Sequence, residues 1–181
     1  TEAFDRYVNQ ALYEALIGIG STLGAQWYKS SAISEATKET LRTLCMDVGM
    51  ASDSEVVIMG TRAALASVFA LNDVSWASGD MKNEMYTTGR FGYWEGIRLV
   101  ELKQGFKLND TTQYLVANDV LFIMPVGIDP MLKLVYEGDT RMYQVQDAGT
   151  HMDMTYDSEV QTKLGIGVVT NAKFGYWKIV K

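Results

Sequence analysis

The stretch Glu55-Val56-Val57-Ile58-Met59-Gly60-Thr61-Arg62-Ala63-Ala64-Leu65 decides the fold class. Residues 55–59 form a short apolar run rich in β-branched side chains, which reads as a buried strand. Gly60 and Thr61 then break that period and cap a helix from Arg62 to about Phe69. Upstream, a helix begins near Ser34 with Glu35 and Glu39 toward its positive end. It presents Ala36, Leu41, Leu44, Cys45 and Val48 before stopping at Gly49. Helix, strand and helix in this order predict a mixed α+β domain rather than a bundle or a sandwich.

Toward the N-terminus, Phe4, Val8, Leu12 and Leu16 recur at helical spacing, with Tyr7, Ala11 and Ala15 beside them. This predicts an amphipathic helix from Thr1 that ends among Gly18, Gly20 and Gly24, followed by a polar stretch, Lys29-Ser30-Ser31. Toward the C-terminus, turn signals at 72–73, 78–80 and 87–89 alternate with Tyr86, Phe91, Tyr93 and Trp94. Strands are expected at Ile97 to Leu102 and Leu121 to Val126. Period-two alternation marks three more, at 132–136, 142–145 and 152–156, with Gly138, Gly149 and Gly165 between or after them. Val160 to Val169 continues extended, and Phe174 to Val180 forms a last strand whose Phe174, Tyr176 and Trp177 close over a core.

With 181 residues against about 150 per domain, the chain is one domain, or one with a lobe. Hydrophobic residues make up 48% and charged residues 21%, with only 2 Pro, which argues against disorder. No apolar run approaches the length of a membrane-spanning helix. A net charge of −6 disfavours counterion-driven binding to a nucleic-acid backbone. A chain that opens on Thr1, with no basic-then-apolar leader, reads as a piece of something longer rather than as a secreted precursor.

Chemistry-bearing constellations are sparse. Cys45 and His151 are single residues of their kind, which removes a disulfide framework and a multi-His or multi-Cys zinc site. The glycine-rich Gly18 to Gly24 follows a helix instead of a strand and lacks the Lys-Ser/Thr pair of a phosphate loop, so it reads as a helix stop. Cys45 falls on an apolar helix face, as an inert thiol would, and there is no Gly-x-Ser-x-Gly elbow. Asp153, Asp157 and Glu159 share one face of an extended segment, which reads as a solvated strand face rather than a calcium loop.

In their order along the chain, four groups of motifs resemble the major capsid protein of tailed bacteriophages, the Hong Kong ninety-seven-type shell fold. Val56 to Leu65 is similar to the family's strand leading into a short helix of the axial domain. Gly92-Tyr93-Trp94-Glu95-Gly96-Ile97-Arg98-Leu99-Val100-Glu101 is similar to its glycine-then-strand return. Asn118-Asp119-Val120-Leu121-Phe122-Ile123-Met124 matches the strand after the loop at the shell axis. Met154 to Asp157, Gln161 to Val169 and Phe174-Gly175 resemble the strands that return to the peripheral domain.

The resemblance implies a spine helix of the peripheral domain over 1–30, an axial domain over 31–128 and C-terminal peripheral strands over 129–181. It implies a structural subunit, not an enzyme, that self-assembles in pentons and hexons into an icosahedral head shell around the phage genome. No cofactor, metal or membrane is implied. Further partners would be scaffolding, portal or decoration proteins, with packaged DNA nearby only non-specifically. The implied location is the virion, assembled in the host bacterial cytoplasm. The family's N-terminal arm and extended loop have no counterpart here, so this piece is not expected to close shells alone. Rival readings are an encapsulin-like nanocompartment shell and a small α+β enzyme built on His151 and Asp153. Tyr86, Arg90, Phe91 and Trp94 are the candidate subunit-interface residues, because aromatics and Arg in a turn-rich segment suit interface hot spots.

Overall fold

The computed structural model describes residues 2–24, 26–32, 37–71, 79–80, 83, 92–107, 110–127, 132–146, 156–168 and 174–180. Contacts divide the chain into one unit formed by Thr1–Asp129 with Ala172–Lys181 and another formed by Pro130–Asn171.

In the first unit, a helix α1 (Glu2–Gly20) precedes a strand β1 (Tyr28–Ala32), then α2 (Lys38–Ser52), β2 (Val56–Gly60) and α3 (Arg62–Ala70). Both later helices begin on a threonine cap: the side chain of Thr37 accepts from the Thr40 N–H, and that of Thr61 from the Ala64 N–H. The sequence places the start of α2 near Ser34, and Thr37 supplies the physical reason for the later start. Asp53 ends α2 in a left-handed conformation, with its N–H on the Gly49 carbonyl.

Five further strands follow: β3 (Tyr93–Trp94), β4 (Ile97–Glu101), β5 (Phe106–Lys107), β6 (Asp110–Tyr114) and β7 (Val120–Pro125). After the second unit's β8 (Leu132–Gln146) and β9 (Tyr156–Val168), β10 (Gly175–Val180) returns to the first. A six-stranded mixed sheet runs β1-β10-β7-β2-β4-β3, with β1/β10 and β2/β4 parallel and the remaining pairs antiparallel. The last strand, grouped by sequence with 129–181, is therefore an interior strand of this sheet, between β1 and β7. Strand β1 covers the polar Lys29-Ser30-Ser31 stretch; its extended state comes from pairing to β10, not from a hydrophobic pattern.

Register assigns the sheet's two faces. Ile58, Leu99, Ile123 and Gly175 stand side by side, as do Leu121 and Trp177, and this face packs on Leu41, Leu44 and Val48 of α2 and Leu65 and Val68 of α3. Gly175 allows the approach: a Cβ there would stand 3.1 Å from both Leu44 Cγ and Ile123 Cβ. The opposite face carries Tyr28, Tyr176 and Phe122; Tyr28 stacks on Tyr176 at 5.5 Å, and Phe122 meets Tyr176 edge-on at 5.6 Å. The last turn of α1 lies on this second face, against the Tyr176 ring at Gly20.

In the second unit, β8 and β9 form one long antiparallel hairpin. The sequence divides β8 at Gly138. The structure keeps a single strand and absorbs Gly138, at φ 74°, in an irregularity between Glu137 and Arg141. The strand expected at 152–156 lies outside the described residues except for Tyr156.

Candidate interaction surfaces

Three of the four residues proposed from sequence for a subunit interface, Tyr86, Arg90 and Phe91, lie outside the described residues. Trp94 is placed in the chain's own core, 2% exposed. The backbone explains it. Tyr93 pairs with Arg98 and Trp94 with Ile97 across a two-residue turn, Glu95-Gly96, with φ of 49° and 83°. Two consecutive positive φ values give the primed turn that matches strand twist. Alternation then turns Trp94 and Ile97 inward and leaves Tyr93 exposed. The Trp94 indole N–H has no hydrogen-bond partner among the described residues.

The same turn is fastened to α2. Arg42 donates from Nε to Glu95 Oε2 at 3.0 Å and from Nη2 to Oε1 at 2.8 Å, a bidentate pair, while Lys38 also reaches Oε1. Arg42 further donates to Glu39 at 2.6 Å. The Arg42 hydrogen bonds hold the Glu95 carboxyl below the usual carboxylate range, with help from Lys38 and against the opposing effect of desolvation. Behind it, burial and then the Glu95 charge push the Cys45 thiol up to about 12, so it is protonated and unreactive at neutral pH.

Among the described residues of the first unit, exposed apolar side chains gather on α2 and on the β5–β6 hairpin, besides Phe4 and Tyr7 of α1. Along the outer side of α2, Met46 and Met50 are 57% and 71% exposed. Met46 borders an open groove of about 390 Å³ shared with Val56 and Ile97 and rimmed by Arg42, Glu55 and Glu95. Asp47, Asp53 and Glu55 make this end of α2 acidic. On the β5–β6 hairpin, Phe106 and Tyr114 stack at 5.7 Å although both are more than half exposed. Gln104 clamps its base: Oε1 accepts from the Val116 and Gly105 N–H groups, and Nε2 donates to the Val116 carbonyl and Asn118 Oδ1. Lys107 lies 3.8 Å from Glu14 of α1.

On the β8–β9 hairpin, register puts Leu132, Leu134, Tyr136, Leu164 and Ile166 on one face, continued past the irregularity by Met142 and Val160. Lys133, Glu137 and Lys163 lie on the other face. A two-stranded ribbon cannot bury an apolar face within itself. Of the sequence-level chemical candidates, His151 and Asp153 lie outside the described residues, while Asp157 and Glu159 fall in β9. Among the described residues no group of acidic, His or Cys side chains could hold a metal ion, and no helix is long and apolar enough to cross a membrane.

Comparison with known proteins supplies what the geometry alone does not. Among curated proteins none matches the chain. Among solved structures, it is similar to a chain of the holo-SrpI encapsulin complex from Synechococcus elongatus, with a TM-score of 0.44 and 11% identity over 87% of this chain and 54% of that one. The protein thus spans about half the length of that solved chain. A family model described as "SPbeta prophage-derived putative capsid protein YonB" matches residues 1–178. With all but the last few residues inside that match, the chain belongs to the YonB family of prophage-derived capsid proteins.

Proposed function

We propose that this chain is a structural shell subunit that acts by self-association, assembling into the icosahedral head that encloses a phage genome. The observation that carries the reading is the match to a capsid-protein family over residues 1–178. Two structural features support it. The β8–β9 hairpin has an apolar face that two strands cannot cover alone, and the first unit exposes stacked aromatics and methionines at separate places. Both are what an assembling subunit needs, because buried aromatics and Met supply interface cores.

On this reading the fold is of the tailed-phage capsid type. Helix α1 is the spine, residues 31–128 together with the returning β10 build the axial domain, and the 130–171 unit supplies the peripheral strands. The role is structural rather than catalytic, the working location is the virion, and assembly takes place in the host bacterial cytoplasm. Pentons and hexons of this subunit are the primary complexes, with scaffolding, portal and decoration proteins as further partners. A net charge of −6 keeps the subunit from retaining packaged DNA through its phosphates.

The test is negative-stain microscopy with light scattering on the full-length gene product expressed in bacteria, with this 181-residue chain beside it. Closed shells or capsomer rings from the full-length product are the expected result. A monomer at every concentration, alone and with co-expressed phage head proteins, overturns the reading. Shells filled with a protein cargo instead of DNA would move the assignment to a nanocompartment.

A further inference from the structure

The groove beside Met46 and the exposed β5–β6 hairpin lie on opposite sides of the first unit's sheet. Gly175 turns its α-carbon toward Leu44, so α2 covers the Ile123 face, and Tyr176, the next residue, points to the other face. The last turn of α1 sits on that Tyr176 ring, and Lys107 of the β5–β6 hairpin reaches Glu14 of the same helix. The hairpin therefore lies on the α1 side, and the groove bordered by Met46 lies on the α2 side.

Their chemistry is complementary. The groove is apolar at Met46, Val56 and Ile97, and the adjacent end of α2 carries Asp47, Asp53 and Glu55. The hairpin offers a stacked pair of exposed rings held on a base fixed by Gln104, with Lys103 and Lys107 flanking Phe106. Rigid aromatics on one surface, a soft methionine on the other, and lysines set against a rim where the acids Glu55 and Glu95 outnumber Arg42 suit a hot-spot contact.

We propose that the β5–β6 hairpin of one copy seats Phe106 and Tyr114 in the groove of the next copy that Met46, Val56 and Ile97 line, with Lys103 and Lys107 facing Glu55 on its rim and Asp47 beside it. The inference rests on the shell reading and adds to it a specific surface and a direction. Because the two patches are different and face opposite ways, the contact is heterologous, and its repetition generates rings or extended arrays rather than closed dimers.

The test is charge exchange in the full-length gene product, read by light scattering and microscopy, with circular dichroism and melting temperature as folding controls. Asp47→Lys/Glu55→Lys and Lys103→Glu/Lys107→Glu are each expected to lower the assembled fraction by at least about tenfold while leaving the melt near that of the parent. Combining all four in one chain restores opposite charges at every contact, and assembly is expected to return. A parent that assembles but is indifferent to both exchanges overturns this surface and leaves the shell reading standing. So does a combined variant that folds but stays dispersed. A parent that never assembles overturns the shell reading, and this inference with it.

Discussion

Gly20 rests on the ring of Tyr176, so closely that any side chain at position 20 would overlap the ring carbons. Tyr176 cannot step aside, because Tyr28 stacks on it and Phe122 meets it edge-on. Gly20→Ala is therefore expected to destabilise the chain by about 1–3 kcal/mol through overpacking, despite the better helix propensity of Ala. Gly18, near the same end of α1, has open space around its α-carbon. Gly18→Ala is expected to raise stability by about 0.5–1 kcal/mol. Urea melts of the two variants should move in opposite directions; a loss in both would show that helix ends, not the ring contact, set the outcome.

Glu95 couples a strained turn to a helix, and its contribution depends on pH with a definite sign. Its folded carboxyl titrates below the ordinary range, chiefly because Arg42 hydrogen-bonds to the charged form. The stabilisation is complete above the unfolded value of about 4.3 and is lost as pH falls through the lower folded value. Glu95→Asn keeps a residue suited to the left-handed backbone at φ 49° but removes the bidentate clamp. The variant should melt below the parent at pH 7, and the gap should close in acid. A gap that persists unchanged at about pH 3 would assign the effect to packing instead.

Cys45 should behave as a hydrocarbon. With its thiol pushed up to about 12, against about 8.5 for a free cysteine, thiolate at neutral pH is far scarcer than in the unfolded chain. Aromatic disulfide reagents should label it only as fast as the protein opens, and fully in denaturant. Prompt labelling of the folded chain would mean that the α2 side of the core is not closed.

Gln104 performs the hydrogen bonding that a strand would. It satisfies both the N–H and the carbonyl of Val116, a residue with no exposed surface. Gln104→Ala orphans both groups and is expected to cost about 2–4 kcal/mol. Gln104→Glu retains an acceptor for the Val116 N–H but sets a carboxylate oxygen against its carbonyl, so part of the loss should return at acid pH, where the carboxyl regains a donor. Melting curves at pH 7 and pH 4 distinguish the two variants; equal behaviour of both at both values would refute the clamp.

How much of this was legible in the sequence depends on whether a segment's state is set locally. The 56–65 strand and helix could be read because the β-branched run and the Thr61 cap are local signals. So were the closing aromatics, since Phe174, Tyr176 and Trp177 are all buried. Strand β1 was not legible, because a polar Tyr-Lys-Ser-Ser-Ala becomes extended only when β10 lies beside it. Trp94, which the sequence groups with the candidate interface residues, is buried in the core for a related reason. The informative signal was the pairing implied by Glu95-Gly96, which sets Trp94 opposite apolar Ile97 and Tyr93 opposite Arg98. The exposed patches are tertiary facts: nothing local says that Met46 and Met50 face outward or that Phe106 meets Tyr114.

The position of β10 bears on timing during synthesis. Strands β1 and β7 leave the ribosome well before β10, yet β10 is the strand that lies between them. At about 5–20 residues per second, the nascent subunit spends several seconds with a gap in its sheet and two unsatisfied ladders beside it. During that interval the Tyr28–Tyr176 stack cannot exist, and the seat for the end of α1 is missing. The α1 side cannot take its finished form until β10 has been made, so the order of the strands delays that surface until well after β1 and β7 have emerged.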